Sequence, residues 1–471
     1  MKKVLFYSAL FVTLVTGCRK IEEDGEIVYL PGTGGPTTPT TGQSITLSGR
    51  IDKDTVLRKG NEYILKGLVY MVNNATMTIE PGVTVKGSYI GNDVGALIIS
   101  RGAKINANGT PDLPIVFTSN SPNPRSGDWG GIVLLGKASV NASFSGPNTI
   151  EVEGGVNNSF NDGIGGGGAT VNDDDSSGVL RYVRIEFAGY AYQPDKEINS
   201  LTMAGVGRKT VVDNVQVYYA KDDAFEWFGG TVNCSHLIAY RTQDDDFDTD
   251  NGYSGKVQFG IVIRDSLIAD ISNSEAFESD NNSSGSTASP KTTAVFSNIT
   301  AVGPKATLSN TGSSLFLAGA HIRRNSGISI FNSVFIGWPT GVFIDASTGT
   351  AVDKNIDDST IRIRNSVIAG CPIPIRYRAN ATATGTTDAT LTQWFTNPFH
   401  GNTIFTTVEE ARLIQPFNYG AVDITPFGNS ALVSGAKFTD PKLQGFTDVT
   451  FRGALAPAGK DATWWKGWTR F

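Results

Sequence analysis

Three cysteines and three histidines among 471 residues are too few for a disulfide-dense scaffold. The histidines are scattered, and no cysteine pair stands at ligand spacing, so the sequence offers no ordinary zinc site. Positive charge is also short: 39 Lys and Arg against 45 Asp and Glu give a net charge of -6. No basic stripe exists to neutralise phosphates, which excludes nucleic acid as a partner. Helix-length amphipathic segments are missing between the apolar runs, and this excludes a doubly wound α/β sheet. The glycine-rich run at 163–168 lacks the strand-to-helix context of a phosphate cradle.

What is present is 54 glycines, abundant Asn, Asp, Ser and Thr, and Val- and Ile-rich runs about five residues long. That composition specifies many short strands joined by tight turns. Residues 1–18 carry Lys2 and Lys3, an apolar run from Val4 to Val15 that is too short to span a bilayer, and the ending Val15-Thr-Gly-Cys18. This ending resembles a bacterial lipoprotein cleavage box, which implies lipidation of Cys18 and attachment to outer-membrane lipid. Arg19-Lys-Ile-Glu-Glu-Asp24 has the character of signals that send Bacteroidota lipoproteins to the cell surface. Residues 19–45, which include the Gly/Pro/Thr-rich run from Leu30 to Gly42, read as a tether.

Residues 46–400 read as a β-solenoid. Thr76–Lys86 sets alternating strands either side of Pro81-Gly82, and Ala96–Ser100, Lys104–Asn106, Ile115–Thr118 and Gly130–Gly136 continue the series. Further on, Tyr182, Asn214, His236, Asp265, Asn298, Asn332 and Asn365 align in one column, with separations of 32, 22, 29, 33, 34 and 33 residues. The column predicts a bend locked by stacked Asn side chains. Cys234 and Cys371 then fall four coils apart, roughly 19 Å at about 4.8 Å per coil, too far to bridge, so both are predicted to be free thiols. Residues 401–471, with a short helix expected at 408–413 and Trp464, Trp465 and Trp468, are expected to cap the open end.

Thr78-Ile-Glu-Pro-Gly82, Ser100–Ala107, Asp128-Trp-Gly-Gly131, Phe225–Gly230, Asp244–Gly252 and Gly467-Trp-Thr469 together resemble a family of bacterial outer-membrane lipoproteins with a right-handed parallel β-helix. The resemblance implies an all-β chain with a small C-terminal cap and a place in the cell envelope.

The functional signal is an echo. Asp223-Ala-Phe-Glu226 returns as Asp245-Asp-Phe-Asp248 and as Glu275-Ala-Phe-Glu278. If Phe225, Phe247 and Phe277 point inward, alternation sends Glu226, Asp246, Asp248 and Glu278 outward. Three residues beyond each Phe come Phe228, Asp250 and Asp280, followed in the last two coils by Asn251 and Asn281. Asp223, Glu226, Asp246, Asp248, Asp250, Asn251, Glu278, Asp280 and Asn281 are therefore the candidate ligand-binding residues. Stacked carboxylates repel by about 1 kcal/mol per pair in water and about 4 kcal/mol at an effective dielectric of 20. Ca²⁺ on Asp248, Asp250 and Asp280 would offset that repulsion, as would Lys221, Arg241 or Lys256 nearby, or plain solvation.

These residues support an extracellular ligand-binding module for glycan or nutrient capture; a place beside an outer-membrane transporter is what the lipoprotein class implies, and no residue specifies it. A Ca²⁺-dependent polysaccharide lyase or glycoside hydrolase on the same face is the alternative, and a structural or adhesive surface protein a third. His236, His321 and His400 sit in Ser-His-Leu, Ala-His-Ile and Phe-His-Gly, not in the Gly-His-Gly of β-helix hydrolases, so no residue is assigned a catalytic role. No pattern specifies an oligomeric state.

Overall fold

The computed structural model describes residues 42–193, 196–305, 312–380 and 385–471. The expected signal segment, Cys18 and nearly all of the tether lie outside the described residues. In Thr76–Ile79, Met77 and Ile79 are buried while Thr76 and Thr78 are half-buried, the alternation that gives a strand one inward face. Such strands stack in parallel register into one 27-stranded sheet wound as a parallel β-helix.

Each coil contributes to three faces. The first runs through 76–79, 104–107, 178–181 and onward to 362–364, and the second through 84–87, 115–119, 183–185 and onward to 403–405. The third runs through 96–99, 132–135, 201–204, 225–228, 247–250 and 277–279 to 373–378. A single apolar core, including Trp129, Trp227 and Trp338, fills the interior.

The bend between the first and second faces is the column read from the sequence, with one correction. Tyr182, Asn214, His236, Asn298, Asn332 and Asn365 all have left-handed backbone, φ from 47° to 59°. The register Ser235↔Gln258 and Leu237↔Gly260 puts Phe259, φ 63°, where Asp265 was expected. Asp265 lies beyond the strand and pairs with Arg241 at 3.4 Å. The hydrophobic strand Lys256–Ile263 decides the register here, and Phe259 holds its strained backbone by stacking on the His236 ring at 5.1 Å. The Asn residues also act differently from a self-satisfying ladder. Asn tolerates the left-handed region, and the freed amides bind the C-terminal segment: Asn298 Nδ2 donates to Phe451 O at 2.9 Å, and Lys437 N donates to Asn332 Oδ1 at 2.9 Å.

The C-terminal end is covered by the helix Asp388–Phe395, whose Leu391 and Phe395 enter the main core and whose N-terminus is closed by a Thr387/Thr390 capping box. The tryptophans expected in that cap lie instead along the side of the solenoid. Residues 405–471 run back over the second face, burying Ile238, Ile261, Ile263, Val334, Ile336 and Val367 under Leu413, Leu455, Trp465 and Trp468. The expected helix at 408–413 is a single 3₁₀ turn, Val408–Ala411. Residues 136–177 cover the N-terminal half of the third face in the same way, packing Val140, Ile150, Val152 and Val156 on Val133, Leu135, Ala204 and Phe228. Cys234 and Cys371 are free and buried, as predicted, and burial pushes both thiols up to about 12. Among the described residues no helix is long and apolar enough to cross a membrane.

Candidate functional site

Beside the covered part of the third face, where Asn141 of the insertion still donates to Asn281 O at 2.7 Å, stands a ladder of acids. Glu226 pairs with Asp248 and Asp248 with Glu278, coil on coil. Beneath them Phe225, Phe247 and Phe277 stack inward with ring centroids 5.8 and 5.3 Å apart. The aromatic stack fixes the spacing of the carboxylates above it.

A second acidic row lies just before each Phe. Asp223 N donates to Asn199 Oδ1 at 3.1 Å, Asp245 N to Asp223 Oδ1 at 2.9 Å, and Glu275 N to Asp245 Oδ1 at 2.7 Å. Each acid thus caps the backbone of the next coil. The row ends on His321, whose Nδ1 lies 2.9 Å from Glu275 Oε1 and whose Nε2 lies 3.3 Å from Asp345 Oδ2.

Burial first, and the neighbouring carboxylates second, push these acids far from their ordinary range. Asp250 rises to about 7, Glu275 to about 8 and Asp244 to about 9. Asp222, Asp223, Glu226, Asp245 and Asp248 are all held well above the usual carboxylate range for the same two reasons. Two of the three cations named from the sequence are engaged elsewhere. Arg241 is stacked on Tyr219, Tyr240 and Tyr419, and Lys256 lies over Phe446. Arginines reach the rows at one edge, where Arg323 donates to Glu278 and Asp280 and Arg324 to Asp280.

Four predicted site residues have other roles. Asp246 is fully buried and paired with Arg264 at 3.1 Å beneath the surface. Asp280 is clamped by two arginines. Asn251 is a left-handed turn residue, φ 51°, and Asn281, at zero exposure, pins the loop that follows by donating to Ser286 O and Ala288 O. Asp223, Glu226 and Asp248 do converge: one oxygen from each lies within 4.8 Å of the others. Among the described residues the same spacing recurs for Asp222, Asp223 and Asp244, and for Glu275, Glu278 and His321. Asp250 and Asp280 belong to none of these groups, so the expected trio of Asp248, Asp250 and Asp280 is not brought together. Asp248 Oδ1 is enclosed and has no hydrogen-bond partner, the condition a hard cation would satisfy.

Asp222, Asp244, Asp245, Glu275 and His321 were not among the candidate ligand-binding residues, although Asp245 and Glu275 stand in the echo itself. The strands Phe225–Phe228, Phe247–Asp250 and Phe277–Ser279 begin at the Phe, so alternation says nothing about the residues just before it. His321 arrives through the register Glu278↔His321, after a connection whose length varies from coil to coil. Beside the acids is a pocket of about 260 Å³ lined by Glu275, His321, Arg323, Arg324, Asp345 and Arg378, among others.

Fold and site together define a parallel β-helix with a window of acids and arginines on one face. The family model described as a pectate-lyase like beta helix domain matches residues 49–408, and the chain belongs to that family. No curated protein and no solved structure matches it.

Proposed function

We propose that this chain is a lipid-anchored, surface-exposed outer-membrane protein that binds glycan at the acidic window of its third face, with Ca²⁺ held by Asp223, Glu226 and Asp248. The carrying observation is the enclosed, unpartnered Oδ1 of Asp248 within a group of three carboxylates whose oxygens lie within 4.8 Å. Family membership supports a carbohydrate-related role, and the Cys18 box supports the anchor. A cation would neutralise the stack and could share its open positions with sugar hydroxyls. Capture of glycan for an outer-membrane transporter is the use that fits this anchoring.

A lyase is less well supported, because the nearest guanidinium groups, Arg323 and Arg324, are committed to Glu278 and Asp280 and offer no free base. One feature points toward hydrolysis instead: burial first, and Asp248 on the next coil second, push the Glu226 carboxyl well above the usual carboxylate range, the direction a general acid beside a second carboxylate needs.

Calorimetry with Ca²⁺ on the wild type and on Asp248→Asn tests the binding reading: saturable binding that is lost in the variant is expected. Absence of binding in the wild type would remove Ca²⁺ from the proposal. Release of reducing sugar from a bound glycan, abolished in Glu226→Gln, would replace binding by hydrolysis.

A further inference from the structure

The fold brings together a histidine and two glutamates that lie far from it along the sequence. We propose that Glu275, Glu278 and His321 form a site for a divalent transition metal of the zinc class, separate from the calcium site at Asp223, Glu226 and Asp248. One ligand atom from each of the three lies within 4.8 Å of the others, and an imidazole in the set selects borderline metals over Ca²⁺.

Three observations outside the two carboxylates point to a metal. The His321 ring is locked by stacking on Phe343, centroids 4.5 Å apart and planes within 5°. Its Nε2 faces Asp345 Oδ2 at 3.3 Å, and Asp345 is itself held by Arg378 at 3.0 Å and by Ser347 N at 2.9 Å. A carboxylate on the far nitrogen of a histidine is the arrangement that fixes the tautomer and raises basicity in metal-ligating histidines. Here it leaves Nδ1 as the ligand atom, on the side of Glu275 and Glu278. Finally, Glu275 and His321 line the 260 Å³ pocket, which gives an ion an entry path and leaves room for a fourth, exchangeable ligand.

Arg323 does not close the site. It donates to Oε1 of Glu278 and leaves Oε2 for a metal, and its Nε remains bonded to Asp280 at 2.9 Å.

The test is titration of the full chain with Zn²⁺, and with Co²⁺ followed by its visible absorption, on wild type, His321→Gln and Asp345→Asn, with Ca²⁺ titrations in parallel. One equivalent of Zn²⁺ is expected to bind the wild type, at least 100-fold more weakly to His321→Gln and about 10- to 100-fold more weakly to Asp345→Asn. Ca²⁺ binding is expected to be unaltered in His321→Gln. Thermal melts of both variants establish that they are folded, and Asp345→Asn keeps the side-chain shape should His321→Gln fail to fold. No saturable Zn²⁺ binding to the wild type, or equal binding in folded His321→Gln, would overturn the site. Loss of Ca²⁺ together with Zn²⁺ in His321→Gln would overturn its separateness. A wild type that binds Zn²⁺ but not Ca²⁺ would sink the calcium reading alone.

Discussion

Asp246 and Arg264 face each other with both side chains at zero exposure. Strict alternation around Phe247 would send Asp246 outward beside Asp248, but the strand begins at Phe247, and Asp246 lies in the bend where the chain turns in. The fold supplies Arg264 from the next coil to meet it, and the guanidinium also donates to Gln243 O at 3.0 Å. Removing one partner of such a pair leaves a buried charge uncompensated, so Asp246→Asn is expected to destabilise the protein by about 3–5 kcal/mol, read as a lower urea midpoint. The double change Asp246→Leu, Arg264→Met should recover most of that loss. A single variant of wild-type stability would mean that the pair is hydrated and not enclosed.

At the scale of the element, the acidic rows carry a pH signature. Carboxylates with folded pKa raised to about 7, 8 and 9 at Asp250, Glu275 and Asp244 bind more protons in the native state than in the unfolded chain, where they titrate near 4. Their contribution to stability is therefore fully present below about pH 4 and is lost as the pH rises through about 9. Without divalent ions the melting temperature is expected to fall from pH 5 to pH 9, and Ca²⁺ should restore it at pH 9. A melting temperature that is flat across this window would show that the acids are solvated and not coupled. The three-coil echo was legible because the Phe stack imposes it. Which acids face a ligand was not, because it depends on where each strand begins and on which neighbour arrives from the next coil.

At the scale of the molecule, two stretches outside the repeat decide what the solenoid exposes. Residues 136–177 cover the third face as far as Phe228, and residues 405–471 cover the second face. The paired coils bearing Glu226, Asp248 and Glu278 form an acidic window next to the Arg323 edge. Trp468 is fully buried against the side of the solenoid, in edge contact with Tyr182 at 5.7 Å. Trp468→Ala is expected to cost about 3–5 kcal/mol and to raise binding of a hydrophobic dye, because Ile238, Ile261 and their neighbours lose their cover. Unchanged stability and dye binding would show that the C-terminal segment is not needed to cover that face.

The sequence by itself determined the parallel β-helix, the two free cysteines and the acidic echo, because each follows from short-range alternation and a repeat that tertiary packing can only reinforce. Tertiary structure decided the rest. Phe259 stands in the bend in place of Asp265, and Asp246 and Asp280 are neutralised by arginines from the following coils. The tryptophans lie on the side of the solenoid, and His321 joins Glu275 and Glu278. Each of these depends on contacts between residues on different coils, and variable connection lengths hide such contacts from any reading along the chain.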